Sequence, residues 1–572
     1  MKTKMSKRLL TLVLAIVLTF ALGVGALAAW NSFQGNDGNN GTASNAVTNP
    51  ISTSVLNLTT NGYPFSGVDV TPVINDHYAY TLYNGGDVNG TAGGARMSCV
   101  DLNTNATVWN EQIDDLAENA QQLSTPYYDT VNDMLFVGTN STENGLAGVS
   151  LSQWTGSGIV NGALVIPANS TVSITYSNLA LDGDYSQAYF MTGITPSGNL
   201  TGSVTLVNNA THVSYNYGTS YAYAGYEFGL YNNSGTTVPA GVYTVTITLT
   251  SDVAVNSTVP ISCVESYWTL FMVDASDGSA APLTDGAGQI NTPITAYGQY
   301  LYFGIYEGDR CYYQFDVNND SLIAYQPNNG EDFYWAGAAV VDGYVVFGSE
   351  SGKVYKRPIG ATFGSATGAV YDLNNYDPIT VPNPGAVRSS ICYDGSNFYF
   401  TSNGGYLWKL DTALSTAYAI NLLDSTYVTT TTSTPVVSAN GYIYVGGYKT
   451  VYNSSTWTTD YFGEVYAIPV SNFTQPAMQS LWVSNTEAVQ SSIVVYSTTN
   501  SSTGIPVDYL YFTSNSANGK GYCLSFVPGS VVTTTVWTTG NVGTGYTLQG
   551  VAVSDNGVVV FGNDDNELYI VK

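Results

Sequence analysis

Basic residues are scarce in this 572-residue chain: 14 Lys and Arg stand against 41 Asp and Glu, a formal net charge of −27. That excludes an electrostatic nucleic-acid binder, which needs a basic surface to displace counterions from phosphates. It also argues against docking on anionic lipid headgroups. Histidine is scarcer still, with only His77 and His212, leaving little room for histidine catalysis or a multi-histidine metal site. The five cysteines (Cys99, Cys263, Cys311, Cys392, Cys523) include no Cys-x-x-Cys pair and no adjacent pair. Their pairing stays open, because an odd count leaves at least one free or intermolecular. What is abundant is core material: 44% hydrophobic and 13% aromatic residues are enough to exclude disorder.

One long apolar run exists, from Leu9 to Leu22, behind Lys2, Lys4, Lys7 and Arg8 and ahead of Ala26-Leu27-Ala28. A basic segment, an apolar segment and a small-residue cleavage site make a secretory signal peptide over residues 1–28; the alternative is a retained membrane anchor. Cleavage removes four basic residues and leaves ten against 41 acidic, a balance of −31. The expectation is an exported protein, extracellular, at the cell surface or periplasmic, with no membrane span once the leader is removed. Sequons such as Asn105-Ala-Thr107 and Asn472-Phe-Thr474 are numerous, as an Asn- and Thr-rich chain produces by chance.

A unit recurs along the chain. It is clearest at Ser433-Thr-Pro-Val-Val-Ser-Ala-Asn-Gly-Tyr-Ile-Tyr-Val-Gly-Gly447, at Val340-Val-Asp-Gly-Tyr-Val-Val-Phe-Gly348, at Ile391 to Asp411 and at Val551 to Gly562. Weaker copies begin near Thr71, Thr125, Thr292 and Ser491. Asp-Gly and Asn-Gly supply the positive φ of tight hairpins, and the flanking Val, Tyr, Ile and Phe are strand formers. Copies spaced by roughly 45 to 60 residues match four-stranded propeller blades, which must stack to bury their faces. The chain stops at the third strand of its last copy, so Ile51 to Leu58 is expected to supply the fourth and fasten the ring.

These residues, with the opening Trp30-Asn-Ser-Phe-Gln-Gly-Asn36 and Gly41, resemble the pyrroloquinoline-quinone (PQQ)-type propeller repeat of quinoprotein dehydrogenases and BamB-like assembly proteins. The resemblance implies a propeller over residues 29–151 and 266–572. It breaks over 152–265, where Val242-Tyr-Thr-Val-Thr-Ile-Thr-Leu-Thr250 alternates strictly, as a half-exposed antiparallel strand does. An inserted immunoglobulin-like β-sandwich, emerging from a hairpin of the second blade, is expected there.

The resemblance also raises an enzyme, in which a vicinal disulfide, an aromatic floor and calcium hold the quinone. The chain has no adjacent cysteines, so no catalytic or cofactor-binding residue is carried over and no cofactor is expected. The one candidate metal loop is Asp316, Asn318 and Asp320, with odd-position oxygens suited to calcium; Ser321 and Pro327 stand where an EF-hand needs Gly and Glu. Asn563 to Glu567 reads as a blade hairpin, and Glu111 to Leu123 as the one helix. The expectation is an all-β, eight-bladed propeller with an inserted sandwich, acting as a non-catalytic scaffold for protein or glycan. The alternatives are a PQQ- or metal-dependent oxidoreductase and a self-assembling subunit of a surface layer or filament.

Overall fold

The computed structural model describes residues 30–572 apart from 37, 46, 51, 59–66, 85–86, 89–90, 93, 115–123, 182–188, 196, 218, 222–227, 232–237, 328–330, 366, 425, 454–457, 517–518 and 541–546. The expected signal segment lies outside the described residues. Among the described residues the secondary structure is strand with five short 3-10 turns, and no helix is long and apolar enough to cross a membrane.

One sheet pattern recurs in chain order. Val73–Asn75, Tyr78–Asn84, Ala95–Asp101 and Ala106–Asp114 form a four-stranded antiparallel sheet whose spatial order follows the sequence. The same order returns in the sheets opened by Ala339–Val341, Cys392–Tyr393, Val436–Val437 and Val494–Thr499, and at Thr295–Tyr297 with a short extra strand, Gln289–Ile290. The last sheet runs Ala552–Val553, Val559–Gly562, Glu567–Val571 and is completed by Thr53–Asn57, paired Thr53 to Val571 and Asn57 to Glu567. The connections that enter these sheets converge: Thr125, Asn291, Trp335, Arg388, Thr432, Gln490 and Gln549 line one narrow cavity. Sheets of this kind set around a shared axis make the fold all-β and propeller-like.

Two devices explain the repeated residues. In several sheets a small hydroxyl residue ahead of the first strand ties down the second strand: Ser389 Oγ donates to Thr401 O at 3.2 Å and accepts from Thr401 N at 2.7 Å. Ser491 does the same to Thr513, and Thr292 to Gly304. A Gly within or at the end of the second strand is a contact point. A Cβ on Gly138, Gly304, Gly348, Gly446 or Gly562 would strike Ile290, Phe333, Val387, Val489 or Val68, each in the connection entering the following sheet. Val68, following Thr53–Asn57, therefore packs on the last sheet as its counterparts do on theirs.

Residues between Asn144 and Ser262 lie inside the second hairpin of this series, since Met134–Asn144 pairs with Ser262–Asp274 from Val264/Asn144 to Asp274/Met134. They form a five-stranded and a three-stranded sheet, while Tyr189–Met191, Gly229–Tyr231 and Thr219–Tyr221 extend the sheet of Ser262–Asp274; Val172, Ile174, Val204, Leu206, Val245 and Ile247 of the five-stranded sheet share a core with Leu164, Ile166, Phe190 and Leu230. The alternating strand read from sequence is present as Gly241–Ser251. The expected helix is not: residues 111–114 belong to strand Ala106–Asp114, and 115–123 lie outside the described residues. Two irregularities in its pairing, at Ala95/Arg96 and Cys99/Val100, break the two-residue period and make this strand hard to recognise.

Candidate functional site

In an antiparallel sheet whose strands follow one another, the chain enters the first strand at the end where the second turns into the third. Asp69, Asp332 to Trp335 and Arg388 lie in entering connections. Glu307 to Arg310, Glu350 and Asp564 lie in second-to-third turns. Residues far apart in sequence are thereby gathered at one end of the axial cavity, its mouth.

Arg388 organises one side. Its Nε and Nη2 bind Glu350 Oε1 and Oε2 at 2.9 and 2.7 Å, a bidentate pair, and its guanidinium lies 4.8 Å from the Tyr334 ring centre. Tyr334 meets Tyr306 edge-on at 4.8 Å and Trp335 at 4.8 Å. All five side chains are half-buried. Trp335 has φ 60°, Glu307 φ 61° and Arg310 φ 50°, a left-handed conformation that is unusual for bulky residues and concentrates at functional sites.

Two acidic groupings adjoin this side, Glu307 with Asp332 in the same turn and connection as Tyr306 and Tyr334, and Asp69 with Asp564 between the first and last sheets. Glu307 N donates to Asp332 Oδ1 at 2.8 Å, and Arg310 Nε stands 3.5 Å from the same oxygen. Burial, then the Asp332 carboxylate, push the Glu307 carboxyl up to about 7. Asp69 and Asp564 form a carboxyl pair, each acting on the other. Burial raises Asp69, and burial together with the Asp69 charge pushes Asp564 up to about 9. The Tyr334 hydroxyl lies in the field of Asp69, Glu307, Glu350 and Arg388, which places both carboxyl groupings at the same mouth.

Below the mouth the axis is nearly filled, with a cavity of about 30 Å³, room for about two waters at roughly 10–15 Å³ each. The floor is the segment that opens the described chain. Trp30 O and Asn31 O accept from Ile74 N and Tyr128 N, Asn39 Nδ2 donates to Ala338 O and Ile391 O, and Gly41 O accepts from Val495 N. Phe33 from this segment lines the cavity. The lead-in residues of the sequence thus cross the axis from sheet to sheet.

The candidate calcium loop lies elsewhere. Asp316, Asn318 and Asp320 share the turn between Tyr312–Asp316 and Ser321–Tyr325, at the end of its sheet opposite the mouth. Asp316 Oδ1 accepts from Asn318 N and Asn319 N, and Oδ2 from Asn319 Nδ2 and Gln299 Nε2. His77 and His212 sit in separate turns. Among the described residues no three His, Cys, Asp or Glu converge as a metal site. The cysteines are buried and spread over five different sheets or their turns, with burial pushing Cys99, Cys311, Cys392 and Cys523 up to about 12. The vicinal disulfide that the resemblance attaches to the quinone has no counterpart, so these residues do not fit that cofactor. In Asn563 to Glu567, a hairpin turn as expected, Asn563 Oδ1 accepts from Asp565 N and Glu567 N.

No protein-family model and no curated protein matches the chain. Among solved structures it is similar to BamB from Moraxella catarrhalis, at 13% identity over 53% of this chain and 78% of that one, TM-score 0.35. It is similar to the WD40 β-propeller domain of Doa1, at 11% identity over 54% and 88%, TM-score 0.32. It is also similar to a europium-containing methanol dehydrogenase, at 8% identity over 96% and 92%, TM-score 0.46.

Nothing in the sequence pointed to the mouth, because its residues are divided among separate repeats. The one available signal was positional: charged or aromatic residues just ahead of a first strand or just after a Gly-terminated second strand.

Proposed function

We propose that the chain is an exported, non-catalytic binding scaffold for a protein or glycan. In this reading residues 29–151 and 266–572 are an eight-bladed PQQ-like propeller fastened by Thr53–Asn57, residues 152–265 are an inserted immunoglobulin-like sandwich, and residues 1–28 are a cleaved signal peptide. The observation that carries it is the half-buried group Tyr306, Tyr334, Trp335 and Arg388 at the mouth. Tyr, Trp and Arg dominate binding energy where they are partly desolvated and rigidly held. The insertion leaves from a second-to-third connection, as does the long hairpin Tyr442–Asn453 to Thr458–Pro469, so both elaborate the same end and widen the surface around that group.

The test is a glycan array and cross-linking to cell-surface extract, with the full chain and with Tyr334→Ala and Arg388→Ala. Specific capture that falls at least about tenfold in both variants is expected, as for hot-spot truncation. Capture indifferent to both substitutions overturns the assignment to the mouth. Turnover of an alcohol or sugar after addition of the quinone and calcium overturns the non-catalytic reading in favour of the oxidoreductase.

A further inference from the structure

We propose that the recess beside the long hairpin Tyr442–Asn453 to Thr458–Pro469 is a binding site for a neutral sugar residue of a glycan; this goes beyond the scaffold reading by assigning a second site, apart from Tyr334 and Arg388.

The recess, of about 430 Å³, lies at the mouth end of two successive sheets and is lined by both. Asp460 and Tyr461 come from strand Thr458–Pro469, Asn485 and Thr486 from the connection into the next sheet, and Lys520 opens that sheet's third strand. The volume falls within the roughly 300–1,000 Å³ of small-ligand clefts, which are ordinarily lined by apolar side chains. Here every lining side chain carries a hydroxyl, amide, carboxyl or ammonium group.

One part of the lining is prearranged. The Glu487 side chain is 9% exposed; its Oε1 accepts from Lys520 Nζ at 2.9 Å, and its Oε2 from Ser514 Oγ at 2.5 Å and Tyr522 Oη at 2.8 Å. The ammonium thus uses one of its three N–H groups and is held in place with the others unspent. Glu331, Lys353 and Tyr355 repeat the arrangement in another sheet, so the triad itself belongs to the fold. What is particular here is the hairpin, with strands of 12 residues each, which carries Asp460 to the recess. Asp460 is exposed, and among the described residues neither its carboxylate nor the Asn485 amide has a hydrogen-bond partner.

The unspent groups select the ligand. Lys520 donates, Asp460 accepts and the Asn485 amide does both; a sugar hydroxyl also donates and accepts at once, so neighbouring hydroxyls of one ring satisfy this mixed set. Tyr461 adds aromatic surface for the C–H side of the ring. Glu487 already neutralises Lys520, and the remaining Asp460 charge disfavours phosphate, sulfate or uronate groups. Among the described residues no three metal-binding side chains converge. A peptide is captured through a sheet edge or an apolar groove, whereas the unspent groups here are polar side chains.

The experiment is saturation-transfer NMR, then isothermal titration, of the full chain with the methyl glycosides of glucose, galactose, mannose and N-acetylglucosamine, beside sodium glucuronate and N-acetyl-tetraalanine amide. At least one glycoside should bind, and neither of the other two compounds. Asp460→Ala, at an exposed position without a side-chain partner, should weaken that binding at least about tenfold, as for loss of a hydrogen bond to a charged group, with the urea midpoint unchanged. Asn485→Ala should weaken it about threefold or more. Tyr334→Ala and Arg388→Ala should change it less than twofold. Absence of glycoside binding, or binding indifferent to Asp460→Ala, overturns the inference; so does glucuronate or peptide bound through Asp460. Glycoside binding that is lost in Tyr334→Ala and kept in Asp460→Ala moves the sugar to the mouth, which overturns this inference and leaves the scaffold reading standing. Cell-surface capture indifferent to Tyr334 and Arg388, with glycoside binding that needs Asp460, does the reverse.

Discussion

Trp335 carries a large ring on a left-handed backbone, and its buried Nε1 has no hydrogen-bond partner; nearby Glu331 is a buried charge held through one of its two oxygens. Glu331 is 4% exposed, with Oε1 bound by Lys353 Nζ at 2.6 Å and Tyr355 Oη at 3.0 Å. Burial pushes this carboxyl up, but Lys353, Ser351 and Tyr355 outweigh it and hold it below its usual value. Lys353→Met should therefore destabilise the protein by about 2 kcal/mol, between the exposed and buried limits for an ion pair, read as a lower urea midpoint. Because the folded-state pKa of Glu331 is depressed, its contribution is present at neutral pH and fades as pH falls through the ordinary carboxylate range. Glu307 and Asp564 behave in the opposite sense. Raised in the folded state to about 7 and about 9, they bind protons that the unfolded chain has released, so stability falls as pH rises from about 5 through 9. Melting temperature should decline across that window, and Asp564→Asn should flatten the upper part of the decline. None of these environments was legible in the sequence. Asp316 and its neighbours look like a site as a string, yet in space Asp316 turns both oxygens onto its own hairpin and Gln299; Asp69 and Asp564 look like nothing as strings and are joined only by the fold.

At the scale of elements, the repeat was legible because its signals are local. Asp342-Gly and Asn440-Gly place a tight turn between two β-branched or aromatic runs, and the structure puts Ala339–Val341 with Tyr344–Gly348, and Val436–Val437 with the start of Tyr442–Asn453, at those positions. The strict alternation near Val242 was equally informative. It sends Val245, Ile247 and Leu249 inward and lines the outer face with cross-strand hydroxyl pairs, Thr171–Thr250 at 2.8 Å, Ser173–Thr248 at 3.0 Å and Thr175–Thr246 at 3.1 Å. Strand Ala106–Asp114 escaped notice because its bulged pairing erases that alternation. The glycines ending the second strands read as turn residues in sequence; in the structure Gly348 makes room for Val387 from the next connection. Gly348→Ala should cost about 1–3 kcal/mol by overpacking, visible as a lower denaturation midpoint with unchanged slope, whereas Gly343→Ala, with open space but φ 78°, is strained only locally.

For the whole molecule the charge excess is the dominant long-range term. With 41 acidic and 14 basic residues, self-repulsion opposes both compaction and the approach of a second copy. Raising salt from about 10 to 500 mM shortens the screening length severalfold. Melting temperature and any self-association, followed by calorimetry and light scattering, should both increase; association that weakens with salt would count against a surface of one dominant sign. The last sheet adds a constraint of another kind, one of time. Thr53 pairs with Val571, so the earlier strand waits for about 500 more residues, roughly 25–100 s at about 5–20 residues per second. For that interval Thr53–Asn57 is a strand whose sheet does not yet exist, and a chaperone or a second nascent chain can claim it before Glu567–Val571 emerges.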